Sequence, residues 1–393
     1  MKFKNVIMIL IISIMTVGCS GVSTLTEEEK LADFEQMYNE VKKGYPFLEV
    51  NKRQNKEDWL ANKEHYEAII KNTSSDQDFA DKLNAILMDL HNGHTQVINS
   101  KTGFEDIKKL YEPLEWYDFL DDEDVNNMYS SLNESRVYSQ ETYNDIELKD
   151  LVKGEIGYMY IPQMNSANGS IDDDMKRIES YLKKIKDYKS LVINIRGNTG
   201  GSDEYWIKLV SLLTDKYYKC GGYRLFRNKS DIINNYTKAR GVELNDISML
   251  PEDILKNAPK EVRSMFTHFE YNENRIEGKS KTPFKGKIYL LVDDMVFSGA
   301  ESFSIFCKEQ NFATIVGSKT SGDGYIYDPV LFKLDNSGLI VRMSSNMYLT
   351  DSGICNEEEK TTPDIVIESD SPDGTVTLDE CINKVLELEK IKQ

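Results

Sequence analysis

The sequence predicts an α/β protein whose parallel sheet is preceded by a small helical region. Three observations carry that expectation. Leu191-Val192-Ile193-Asn194-Ile195 and Ile288-Tyr289-Leu290-Leu291-Val292 are short apolar runs, each followed by a small-residue loop and a helical pattern. Runs of this kind suit strands buried on both faces, which is the condition of parallel sheets. From Glu155 onward strand and helix patterns alternate, the order that builds parallel crossovers. Before Asn92-Gly93 only helical periodicity is present. With 393 residues and 40% hydrophobic content the chain can bury a sizeable core.

In chain order, Lys2 and Lys4 precede an apolar run from Val6 to Val17 that closes at Val17-Gly18-Cys19. That run is too short for a membrane span and fits an export signal. It resembles a bacterial lipoprotein signal over residues 1–18, with Cys19 as the lipidated residue and Thr16 where such signals usually carry leucine. Residues 19–26 read as a tether. Residues 27–98 read as an N-terminal helical domain. It opens at the capping box Thr26-Glu27-Glu28-Glu29, with Leu31, Phe34, Tyr38 and Val41 at helical spacing. A helix carrying Trp59, Tyr66 and Ile70 follows, then a third from Ser75 that stops at Asn92-Gly93. Residues 99–150 show no firm periodicity and are taken as a connecting segment. Residues 151–370 form the α/β core. It comprises a strand in Glu155–Met164, a helix from Ser170, the two strand–loop–helix junctions, a strand at Ala313–Val316, a hairpin at Asp335–Gly338 and a strand at Ile365–Ile367. Residues 215–280 read as a polar, mostly helical insertion. Residues 371–393 hold an amphipathic helix with Leu378, Ile382, Val385 and Leu386.

Charge and cysteines narrow the function classes. Sixty-six acidic against 48 basic residues leave a formal charge of −18, which would be repelled by nucleic acid and by anionic lipid. No nucleic-acid partner is expected, and contact with membrane only through a lipid on Cys19. The other cysteines, Cys220, Cys307, Cys355 and Cys381, have neither zinc-site nor disulfide-framework spacing and read as buried thiols. Histidines occur only at 65, 91, 94 and 268. His91 and His94 lack companions for a metal ligand set, so neither metal nor cofactor is expected.

Helix starts after buried strands expose free N–H groups. Ser298 stands at such a start, followed by Gly299, whose N–H is suited to an oxyanion. Serine is equally a favoured N-cap residue, so that position alone decides nothing. The glycines Gly200 and Gly201 allow close backbone approach and fit no nucleotide-binding spacing.

Four segments in order carry a resemblance: Leu90-His91-Asn92-Gly93-His94-Thr95, Ile195-Arg196-Gly197-Asn198-Thr199-Gly200-Gly201, Ser298-Gly299-Ala300-Glu301-Ser302-Phe303 and Thr362-Pro363-Asp364-Ile365. Together they resemble the tricorn and C-terminal-processing family of serine peptidases. The resemblance implies a Clp-protease/crotonase-like core and peptide or protein substrates. One branch of that family uses a Ser/Lys pair, but Asp323 stands where its lysine would be, with Lys319 nearby. The tricorn-like branch uses Ser, His and Glu, the glutamate six residues before the proline, here Glu357. The resemblance therefore implies Ser298 as nucleophile, His94 as general base and Glu357 as orienting carboxylate, with Glu358 and Glu359 as neighbouring candidates. Gly200 or Gly201, with Gly299, would form the oxyanion hole. Asn92 replaces the family's usual aspartate. The 59 residues between Thr95 and Glu155 are too few for the PDZ domain of the processing branch. The expected protein is a lipid-anchored, extracytoplasmic serine endopeptidase working through an acyl-enzyme. The alternatives are a Ser/Lys peptidase using Lys319 and a non-catalytic binder resembling retinoid-binding modules of the same fold.

Overall fold

The computed structural model describes residues 25–134, 145–367 and 377–391. The signal segment and Cys19 therefore lie outside the described residues. The described residues open with four helices: α1 (Glu27–Gly44), α2 (Leu48–Gln54), α3 (Lys63–Lys71) and α4 (Asp76–Met88). Thr26 caps α1 through the expected box and Ser75 caps α4. The helix expected around Trp59 is split, since a 3-10 turn at Trp59–Asn62 precedes α3. A two-residue strand, β1 (Gln96–Val97), follows the Asn92–Thr95 loop.

Residues 99–150 are not a bare connector. They fold into α5 (Lys101–Tyr111), α6 (Glu123–Ser131) and β2 (Glu147–Val152), and bury Phe104, Ile107, Tyr111, Val125 and Tyr129. The helical spacing of these side chains is present in the sequence, but the acidic run at 121–124 dilutes it.

The α/β core then assembles in the expected order: β3 (Ile156–Tyr160), α7 (Ile171–Lys184), β4 (Ser190–Asn194) and α8 (Asp203–Leu213). The insertion departs from expectation. It is built on two ten-residue antiparallel strands, β5 (Tyr217–Phe226) and β7 (His268–Glu277), paired along their whole length. Between them lie α9 (Asp231–Ala239), β6 (Asn245–Asp246), α10 (Glu252–Leu255) and α11 (Val262–Met265). Polar residues spread over these strands hide the period-2 pattern because one face stays half exposed. The chain continues through β8 (Lys287–Val292), α12 (Ser298–Glu309), β9 (Thr314–Gly317), β10 (Val330–Lys333), β11 (Ile340–Met343) and β12 (Met347–Thr350). It ends with α13 (Asn356–Glu359), β13 (Ile365–Val366) and α14 (Leu378–Leu388).

Three sheets result among the described residues. The six-stranded one has the order β13-β9-β8-β4-β3-β2, parallel except for the antiparallel edge β2. Alternate residues of its strands face two separate cores. Leu191, Ile193, Leu290 and Val292 meet α7, α8 and α12, while Val192, Tyr289 and Leu291 meet Cys381 and Val385 of α14. A four-stranded sheet runs β12-β5-β7-β6, and a three-stranded sheet runs β1-β11-β10. The N-terminal helices have no core of their own. Phe34, Met37, Val41 and Phe79 share one cluster with Leu225, Phe269, Val330, Val341 and Leu349.

Candidate active site

Three loops converge where α12 begins. The first follows β4: Gly200 and Gly201 adopt φ of +112° and +127°, open to glycine but costly for other residues. A Cβ on Gly200 would stand 2.7 Å from Ser298 Cβ, and one on Gly299 would stand 2.5 Å from Gly201 O. The two helix starts can therefore touch only because these positions lack side chains. The second loop is Asn92–Thr95. The third, Thr320–Tyr325, leaves β9 and runs beside Phe297, with Ser298 N–H donating to Gly322 O at 3.2 Å.

Ser298 is not an N-cap. Its side chain accepts no helix N–H, and its φ of +56° lifts the residue out of the ordinary region. The Oγ instead lies 3.1 Å from His94 Nε2. His94 Nδ1 lies 2.8 Å from Asp323 Oδ2, another residue at positive φ (+55°). The expected partner, Glu357, is elsewhere: its Oε1 accepts from Asn92 Nδ2 at 3.2 Å, and that same amide donates to Asp323 Oδ2 at 2.9 Å. The carboxylate against the imidazole is thus Asp323, with Glu357 one residue further back. Glu358 is bound by Arg53 at 2.6 Å, and Glu359 is exposed. Lys319 is exposed, and no hydrogen bond between it and Ser298 occurs among the described residues. His65 and His91 are also exposed.

Asn92 uses its whole amide. Its Oδ1 accepts from His94 N–H, Thr95 Oγ and Ser344 Oγ, and its Nδ2 bridges the two carboxylates. An aspartate at this position would set a third carboxylate beside two, with no donor to either. Behind the site, Glu301 is fully buried and accepts from Asn356 Nδ2 and Thr361 Oγ, both at 2.7 Å. Asn356 Oδ1 accepts from Gly324 N–H, and Ser302 Oγ accepts from Tyr325 N–H. One helix therefore carries Ser298 and fixes the loop that carries Asp323. The motif Ser298–Phe303 signalled Glu301 without showing what it holds.

Burial sets the electrostatics. It lowers the His94 pKa, while the adjacent Asp323 carboxylate acts the opposite way. Burial, and then the charge of Asp323, push Glu357 well above the usual carboxylate range. Its Oε2 has no partner, nor has Asp323 Oδ1. Among the glycines, Gly200 N–H is committed to Asn198 Oδ1 at 2.9 Å, so it is not a free donor. The N–H groups of Gly201 and Gly299 have no hydrogen-bond partner among the described residues. A cavity of about 800 Å³ opens over Ser298 and His94, walled by Leu110, Tyr111, Leu114, Phe297 and Tyr327 and by Arg342. No metal-holding group of His, Cys, Asp or Glu occurs among the described residues.

A hydroxyl held against an imidazole that a carboxylate orients, beside free N–H groups, can carry out acyl transfer. The α/β core and this site define the class of serine peptidases. The chain belongs to peptidase family S41, whose model matches residues 155–367. It is accordingly a peptidase, acting on peptides or proteins. Among solved structures, a putative peptidase from Parabacteroides merdae is 18% identical, with a TM-score of 0.59, over 91% of this chain and 96% of that one. Mature CPAF is similar at 12% identity and a TM-score of 0.55, over 86% and 92% of the two chains. CPAF complexed with lactacystin matches at 13% identity and a TM-score of 0.55, over 93% and 98%. These likenesses concern the fold. No curated protein sequence matches the chain significantly. Among the described residues no helix is long and apolar enough to cross a membrane.

Proposed function

We propose that the protein is a serine endopeptidase in which Ser298 is the nucleophile, His94 the general base and Asp323 the carboxylate that orients His94. The observation that carries this reading is the continuous path from Ser298 Oγ through the His94 ring to Asp323, at 3.1 and 2.8 Å. Ser298 Oγ attacks the scissile carbonyl carbon while its proton passes to His94 Nε2. The oxygen that gains charge meets the N–H groups of Gly299 and Gly201. The C–N bond breaks as His94 returns the proton to the leaving amine, leaving an ester on Ser298. Water, deprotonated by His94, then attacks that ester, releases the acid and restores the hydroxyl.

Glu357 takes a supporting role. Burial and the neighbouring Asp323 charge drive Glu357 toward its neutral form, which lessens the second negative charge beside Asp323. Glu357 also holds the Asn92 amide that fixes the Asp323 carboxylate. A fluorophosphonate probe tests the nucleophile. Labelling is expected in the wild type and absent in Ser298→Ala. Absent labelling in the wild type, or labelling that survives the substitution, overturns the assignment and returns the binding-protein alternative. The lipoprotein-like signal over residues 1–18 supports export, a lipid on Cys19 and a catalytic body outside the cytoplasm. Cys19→Ser is expected to release the protein from membranes and abolish fatty-acid incorporation.

A further inference from the structure

We propose that Arg342 is the substrate-recognition cation of this site and binds a carboxylate of the peptide, an inference that rests on the Ser298–His94 reading above. Strand β11 reads Ile340-Val341-Arg342-Met343, and Arg342 alone among these four is not fully buried. The strand pairs with β1, Arg342 standing opposite Gln96, two residues beyond His94. This register delivers the guanidinium to the wall of the cavity over Ser298. It is near the histidine: Nη1 approaches Gly93 O at 3.4 Å, a long contact, and the charge acts on both His94 and the Tyr111 hydroxyl.

The cation lacks a counter-ion. No carboxylate lies within ion-pair distance of Arg342 among the described residues, and its buried Nε has no hydrogen-bond partner. The acidic groups lining the same cavity are otherwise engaged. Asp323 faces His94, Asp328 pairs with Arg240, and Asp203 Oδ1 accepts from Trp206 Nε1 at 2.9 Å. Among the described residues Arg227 also lacks a carboxylate partner, but its guanidinium is spent on the carbonyls of Tyr45 and Lys42, whereas Arg342 lines the cavity. The Arg342 guanidinium reaches the neutral Tyr111 hydroxyl but no negative partner, and a guanidinium donates charge-assisted hydrogen bonds to a carboxylate. The apolar neighbours Leu110, Leu114 and Tyr327 reduce the water competing for it. The carboxylate has two sources in a peptide, an Asp or Glu side chain or the free chain end.

Binding to Ser298→Ala tests the proposal without depending on turnover. Fluorescent peptides are compared in pairs, internal Glu against Gln in one arm and a free C-terminus against a carboxamide in the other. The carboxylate member is expected to bind about tenfold tighter in one arm, which names the source, with the advantage falling as salt rises. Adding Arg342→Gln is expected to bring that ratio near one, and Arg342→Lys to restore part of it. A ratio near one in both arms before Arg342 is changed overturns the proposal, as does a preference that survives Arg342→Gln. Wild-type labelling by the fluorophosphonate reports separately on the catalytic reading, so loss of one does not remove the other.

Discussion

Asn92 explains why two carboxylates can lie side by side beneath His94. Its amide nitrogen donates to Asp323 and Glu357 together, and its oxygen gathers His94 N–H and two hydroxyls. Asp323→Asn removes the negative charge beside the imidazole and introduces an amide donor that favours the wrong tautomer, and is expected to lower kcat by about 10³–10⁴-fold, the range seen when an orienting carboxylate is neutralised. Glu357→Gln replaces a group that burial already keeps toward its neutral form, and a loss below about tenfold is expected. Steady-state kinetics on one peptide decides: equal losses, or a larger loss for Glu357, would restore Glu357 as the orienting group. His94 titrates below the ordinary imidazole value of 6.5 because it is buried. The base is neutral and competent above its pKa. The acid limb of kcat/KM is therefore expected below pH 6.5, and a limb at pH 7 or higher contradicts the assignment.

At the level of elements, the site is made by two strand–loop–helix junctions pressed together and by the loops before β1 and after β9. Positive φ values gather there, at His91, Ser298, Asp323 and Tyr325 as well as at Gly200, Gly201 and Gly322. Each such non-glycine residue costs on the order of 1–3 kcal/mol, supported by the packing around it. Gly200→Ala tests the close approach. Its Cβ would meet Ser298 Cβ at 2.7 Å and Gly299 N at 2.9 Å, from a backbone with φ of +112°. A stability loss of roughly 2 kcal/mol or more is expected in chemical denaturation, with lost probe labelling. Wild-type-like values for both would show that the junctions are looser than they stand here.

Across the whole molecule, the histidine-bearing helices and the serine-bearing core are one body. Besides the shared cluster, Asp33 accepts from the backbone N–H groups of Asn336 and Ser337 in the β10–β11 turn, at 2.9 and 2.8 Å. Arg227 Nη2 donates to Lys42 O at 2.7 Å, near the end of α1. A fragment of residues 25–98 is therefore expected to lack a cooperative thermal transition by circular dichroism, since its apolar faces meet partners from β5, β10 and β11. A sharp transition in the isolated fragment would make it an independent domain. This continuity also fixes the distance between His94 and Ser298, which lie 204 residues apart in the chain.

The resemblance of the four motifs implied the pair Ser298 and His94, while the sequence by itself determined the buried strands and the helix starts and stops. These follow from apolar runs, caps and glycines, which act over a few residues and leave a local trace. The strands β5 and β7 escaped notice because their half-exposed face carries no clear alternation. Only the tertiary structure decided which carboxylate meets the imidazole. Asp323 was visible as the residue standing where a lysine would otherwise be, but its role depends on how the loop after β9 lies against Phe297 and is held by Ser302 and Asn356. Likewise Arg342 reads in sequence as one polar residue in an apolar strand. The pairing of β11 with β1 is what places its charge beside His94, because strand register, unlike helix capping, is set by partners distant in the chain.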